Sequence, residues 1–123
     1  MNSLNSKYFT LKELECKETH DFAMKQVFID LLDNIREECD FPFIITSGYR
    51  SPEHSIEVKK AKAGSHAMGV AVDIRATSAQ KYKIIEAAKK HGVTRFGINK
   101  SFIHIDIADR YDSRFPANVV WAY

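Results

Sequence analysis

The stretch "SHAMGVAVDI", Ser65 to Ile74, carries a histidine and an aspartate seven residues apart, His66 and Asp73. A second stretch, "SFIHIDIAD", carries His104 and Asp106 among isoleucines. Successive side chains of an extended chain point to opposite faces. Ile103, Ile105 and Ile107 therefore share one face, and Phe102, His104 and Asp106 the other. In "GVAVDIR", Val70, Val72 and Ile74 likewise oppose Ala71, Asp73 and Arg75. Each strand thus offers ionisable groups from the face opposite its apolar stripe. If the two strands lie in one sheet, His104 and Asp73 converge, and His66 reaches in from the preceding loop. Two imidazoles and one carboxylate are the ligand set of a catalytic zinc site, whose open position holds a water with a pKa lowered toward ~7. Gly69 lets the loop turn tightly after His66, and Ala71 leaves volume beside Asp73. The plainer alternative is that each is an ordinary surface residue on a strand. Spacing alone leaves both readings open.

These residues need a scaffold, and the rest of the chain reads as one. Thr10 and Glu13 have capping-box spacing, so "TLKELEC" is a short helix. From Asp21 to Cys39 the residues Phe22, Met24, Val27, Phe28, Leu31, Leu32 and Ile35 recur at helical spacing and stop before Pro42. "FPFIITSG" is a buried strand entering a turn at Gly48. Pro52 to Ala61 reads as helix, followed by a loop through Gly64. Ser78 to His91 is a helix with Ser78 as N-cap and Gly92 as its stop. Strands at Thr94–Asn99 and Phe102–Ala108 form a hairpin across "NKS". Trp121 and Tyr123, in the closing "VVWAY", either wall a cleft or pack the terminus, and packing is the favoured reading for tail aromatics. The expected fold class is α+β, a mainly antiparallel central sheet with helices packed on one side, in a single domain spanning 1–123.

Composition narrows the function classes. The chain has 123 residues, 45% hydrophobic and 28% charged, with a net charge of +2. Lys59, Lys60 and Lys62 read as a solvated face and not as a nucleic-acid footprint. No apolar run has the length of a membrane span, and "MNSLNSKYFT" has no secretory pattern. Cys16 and Cys39, without CxxC spacing, read as reduced thiols of a protein made in the cytoplasm. His20 has no supporting context, and His91 suits a helix C-terminus.

"SGYRSPEHS", "SHAMGVAVDI", "FIHIDI" and "VVWAY" stand in the order found in zinc D-Ala-D-Ala carboxypeptidases and related L-Ala-D-Glu endopeptidases, which the chain resembles from about Tyr8 to Tyr123. The opening "YFTLKELEC" is similar to compact bacterial and phage members. The resemblance implies the hedgehog-like fold of that family and one zinc ion per chain, held by His66, Asp73 and His104. It implies a hydrolase of peptidoglycan stem peptides; the sequence leaves the oligomeric state open, with a monomer as the expectation, and offers no nucleic-acid footprint. Such an endolysin-type enzyme would act on the cell wall after lysis or particle delivery. Arg50 matches the arginine that stabilises the substrate's oxyanion. Ser47 either contacts substrate or caps the following turn, and His54 falls where a substrate contact is expected, although Ser55 stands where relatives often have asparagine. Several relatives place an acid, as general base, three positions before the last histidine, and here that position is Ser101. Asp106 is then the nearest carboxylate in sequence able to handle a proton, its other reading being to orient a ligand. A non-catalytic zinc-binding module that only binds cell wall or a partner is the alternative that Ser101 favours.

Overall fold

A computed structural model describes residues 4–123. The chain begins with helix α1 (Leu11–Leu14), closed by the expected capping box between Thr10 and Glu13. Helix α2 (Gln26–Cys39) buries Phe28, Ile29, Leu31, Leu32 and Ile35 on one face. It starts later than its apolar periodicity suggested. Phe22 and Met24 are buried too, but from an extended segment that lies against the loop before the second strand, with the Lys25 amide donating to Gly69 O at 3.0 Å. Gly69 is obligatory there: its φ is +76°, and a Cβ would sit 2.3 Å from Ala23 O. Asp40, in the left-handed region, ends α2 just ahead of Pro42.

Strand β1 (Ile44–Ser47) leads into the turn at Gly48. The expected helix over Pro52–Ala61 is absent. Turns occupy this segment, with one 3₁₀ turn at Glu57–Lys59. Burial runs against an amphipathic helix here, because Ile56 and Val58 are exposed while the charged Glu57 is buried. The His54 ring also accepts from the Ile56 amide, a local bond that competes with helix formation.

Strand β2 (Ala71–Arg75), helix α3 (Ser78–Lys90), β3 (Arg95–Ile98) and β4 (Phe102–Asp106) follow close to their expected bounds. The N-cap of α3 is Thr77 rather than Ser78, with Gln80 completing a capping box. Gly92, at φ +87°, follows the helix end. The terminal "VVWAY" is more than packing, because Val119–Ala122 forms β5. The sheet order is β1-β2-β4-β3-β5, antiparallel except for the β3–β5 pair. The architecture is therefore α+β with a mixed, mostly antiparallel sheet.

Val72, Ile74, Ile103 and Ile105 are fully buried on one face of the sheet. They join the buried side chains of α2 and α3 in one apolar cluster. Each such side chain removed from water contributes roughly 1.5–3 kcal/mol. The opposite face carries the polar residues. One row of paired residues crosses all five strands: Ser47, Asp73, His104, Gly97 and Trp121. The next row is Ala71, Asp106, Arg95 and Val119. The register of β2 on β4 thus sets Asp73 directly beside His104.

Candidate metal centre

His66, Asp73 and His104 meet on this face, all buried, with one potential ligand atom from each lying within 4.8 Å of the others. His66 arrives from the loop closed by Gly69, as its position ahead of the strand implied. Its Nδ1 bonds Gly48 O at 2.8 Å. An imidazole nitrogen facing a carbonyl must carry the proton, so Nε2 presents a lone pair toward Asp73 Oδ1, 3.3 Å away. His104 is fixed the opposite way round. Its Nε2 lies 2.6 Å from Asp106 Oδ2 and donates to it, which turns Nδ1 toward Asp73 Oδ1 at 2.8 Å. Two imidazole lone pairs and a carboxylate oxygen facing one point repel each other unless a cation lies among them. Either a proton or a metal ion satisfies that demand, and an N₂O donor set with both outer nitrogens held by acceptors suits a divalent ion such as zinc.

The electrostatics follow this geometry. Burial pushes the His66 pKa down and outweighs the attraction of Asp73, so His66 stays neutral. Burial also works against the His104 cation, but the bonds to Asp106 and Asp73 prevail and raise its pKa. Burial raises the Asp73 pKa less than His104 and His66 lower it, and the carboxylate is held well below its usual range.

Arg50 stands beside the three. Its Nη2 is 3.9 Å from Asp73 Oδ2, Nη1 is 3.5 Å from Glu57 Oε2, and Nε donates to Ser47 Oγ at 3.3 Å. Ser47 therefore acts by holding Arg50. Glu57, unremarked in the sequence, is almost wholly buried. It also accepts from the Gly64 amide and from Lys60 Nζ. Burial alone would raise its pKa, yet these donors and Arg50 lower it, so Glu57 is an anion that locks the guanidinium in place.

Asp106 does not stand free to take a proton from water. It is fully buried; Oδ2 is bonded to His104, while Oδ1 accepts from Arg95 Nε at 2.7 Å and the Ala108 amide at 2.9 Å. Its bond to His104 fits the second of the two roles expected for it. Arg95 in turn donates to Pro116 O and lies between the rings of Phe115 and Trp121, 5.1 Å from each. His54 is not drawn into the cleft. Its Nε2 pairs with Glu18 at 3.1 Å while Nδ1 accepts from Ile56, so the expected substrate contact is replaced by a tie between two loops. Ser101 is exposed on the β3–β4 turn.

The cleft over this centre measures about 330 Å³ and is walled by Phe102, Phe115, Trp121 and Tyr123. Trp121 lies 5.4 Å from the His104 ring and directly over Gly97, where a Cβ would meet its indole at 2.6 Å. Arg95 went unread because its role depends on the pairing of β3 with β4 and β5, the same pairing that carries Trp121 and Tyr123 to the cleft wall. The small residue Gly97 within a strand was the available signal of a close approach.

A sheet that brings two imidazoles and a carboxylate together beside a guanidinium, on the floor of a cleft, has the make-up of a metal-dependent hydrolase. The sequence model of the Peptidase M15 family matches residues 2–106, and the chain belongs to that family, whose members are zinc-dependent peptidases. No curated protein matches the chain.

Proposed function

We propose that this protein is a zinc peptidase that hydrolyses peptide bonds in peptidoglycan stem peptides. The observation carrying this reading is the convergence of His66, Asp73 and His104 beside a fixed Arg50 in an open cleft. His66 Nε2, His104 Nδ1 and an Asp73 oxygen would hold the ion. The chemistry zinc supplies when bound is polarisation of a carbonyl and acidification of a water to a pKa of about 7. Asp106 keeps the His104 tautomer that exposes Nδ1. Arg50, held by Ser47 and Glu57, offers donors to the negative charge that develops on the scissile carbonyl oxygen. Because the donor is fixed beforehand, little reorganisation is needed as the charge appears.

Digestion of purified peptidoglycan, with mass spectrometry of the products and metal analysis of the protein, tests the proposal. The expected result is one zinc per chain and release of new peptide termini, whose identity assigns the cut as D-Ala-D-Ala or L-Ala-D-Glu. Intact peptidoglycan from fully zinc-loaded protein would overturn the enzymatic reading in favour of a binding module. The site of action we propose is the cell wall, reached after lysis or on a particle.

A further inference from the structure

The cleft does not end at the metal centre. Lys60, Gly64 and Phe115 form its edge and also line an adjoining open hollow of about 550 Å³, together with Ala61, Lys62 and Arg114. The two spaces share a rim, so a peptide lying over the metal centre continues into the second one. The hollow has a specific chemical character. Phe115 and Ala61 give it an apolar floor, Lys60, Lys62 and Arg114 surround that floor, and no carboxylate lines it. Two carboxylates stand behind these cations, Glu57 against Arg50 and Lys60, and Asp112 against Arg114. Arg50 also faces Asp73, so four cations, Arg50, Lys60, Lys62 and Arg114, answer to three anions, and Lys62 makes no ion pair among the described residues. The two carboxylates behind the cations already accept several bonds: Glu57 from Lys60 and the Gly64 amide, Asp112 from Arg114 Nε and its amide.

The hollow is also built rather than incidental. Arg114 donates to Ala63 O at 2.7 Å, tying the segment after β4 to the loop that carries Lys60, and its guanidinium lies 4.9 Å from the Phe115 ring centre. The Lys60 ammonium lies over Gly64, where a Cβ would come within 2.7 Å of Nζ. A bare glycine thus leaves room for the ammonium at the boundary between the two spaces, two residues from His66.

From this we infer that the hollow is a substrate subsite, and that Lys60 and Lys62 select peptides carrying a free carboxylate next to the scissile bond. The inference rests on the peptidase reading and specifies which peptides it prefers. A carboxylate in the hollow pairs with Lys62, which has no ion-pair partner among the described residues, and with Lys60, whose partner Glu57 is shared with Arg50, while the peptide's aliphatic part covers Phe115. An amide in its place brings no charge, so discrimination is a difference between two substrates at one site. The carboxylate can come from the peptide's C-terminus or from a side chain.

The test uses three peptides with the same scissile bond: one with both carboxylates free, one amidated at the C-terminus, and one amidated at the side chain. Initial rates on zinc-loaded wild-type protein and the Lys60→Met/Lys62→Met variant give kcat/KM for each. The wild type is expected to favour the free peptide by about five- to tenfold over one of the amidated peptides, the scale of two partly exposed ion pairs, and the amide that loses identifies the source. The variant is expected to lose the preference. Because each preference is a ratio within one protein, a change in Arg50 or in folding cancels. Equal rates for all three peptides in the wild type, or a preference surviving in the variant, overturns the inference. If no peptide is cleaved, the peptidase reading fails, and calorimetric titration of the same peptides into zinc-loaded protein still decides the subsite. Weaker binding of the amidated peptide, absent in the variant, upholds it; equal affinities overturn it.

Discussion

Asp106 is fully buried and Arg50 partly buried, each held by partners, yet they contact different members of the site, His104 and Asp73. In the proposed peptidase Arg50 faces the reacting bond, so Arg50→Ala is expected to leave zinc content unchanged and to lower kcat by about a hundredfold or more, as loss of one oxyanion donor does; a change confined to KM would reassign it to ground-state binding. Asp106 faces away and works through His104. In the metal-free protein burial works against the His104 cation but Asp106 and Asp73 raise its pKa, so below that pKa a proton competes for the position a metal would take. Metal affinity is therefore level above that pKa and falls about tenfold per pH unit below it, as one proton must be displaced. His66, with its lowered pKa, adds a second competing proton only at more acid pH. Asp106→Asn removes one of the carboxylates that raise His104. It is expected to move the fall to lower pH while weakening the plateau affinity by roughly ten- to a hundredfold, as read by zinc titration against a competing chelator.

At the scale of elements, strands carry the information. Alternation in "AVDIR" and "FIHID" was enough to assign the buried and polar faces, because a strand's period of two is a local property. Register is not local. That Asp106 faces Arg95, and that Gly97 faces Trp121, depends on pairings between segments the sequence separates. The helix expected at Pro52–Ala61 failed for a similar reason, since Glu57 turns inward to meet Arg50 across the fold. Gly97 gives the pairing a direct test. Gly97→Ala places a methyl group against the indole of Trp121, the only tryptophan in the chain. Displacement of β5 is expected, seen as a red shift of tryptophan emission and a fall in zinc affinity. Unchanged emission would mean that β5 does not sit on Gly97.

For the molecule as a whole, the core and the metal centre lie on opposite faces of one sheet, so the fold does not depend on the ion for its apolar packing. The metal-free chain is expected to remain folded and to melt cooperatively. Zinc at about a hundred times its dissociation constant adds about 2.7 kcal/mol, which corresponds to a rise of a few degrees or more in Tm for a chain of this size. A chelator-treated sample that is unfolded at 25 °C would contradict this, and thermal scans followed by circular dichroism decide it.

The parallel strand β5 delivers Tyr123 to the wall of the cleft. Any sequence appended after that residue starts its path at the mouth of the site. An oligohistidine purification tag placed there brings imidazoles within reach of the metal centre. C-terminally tagged protein is therefore expected to bind more than one zinc equivalent and to turn over substrate more slowly than N-terminally tagged protein, with the difference abolished by proteolytic removal of the tag. Where the affinity handle is attached thus decides whether an assay reports on the enzyme or on its own label.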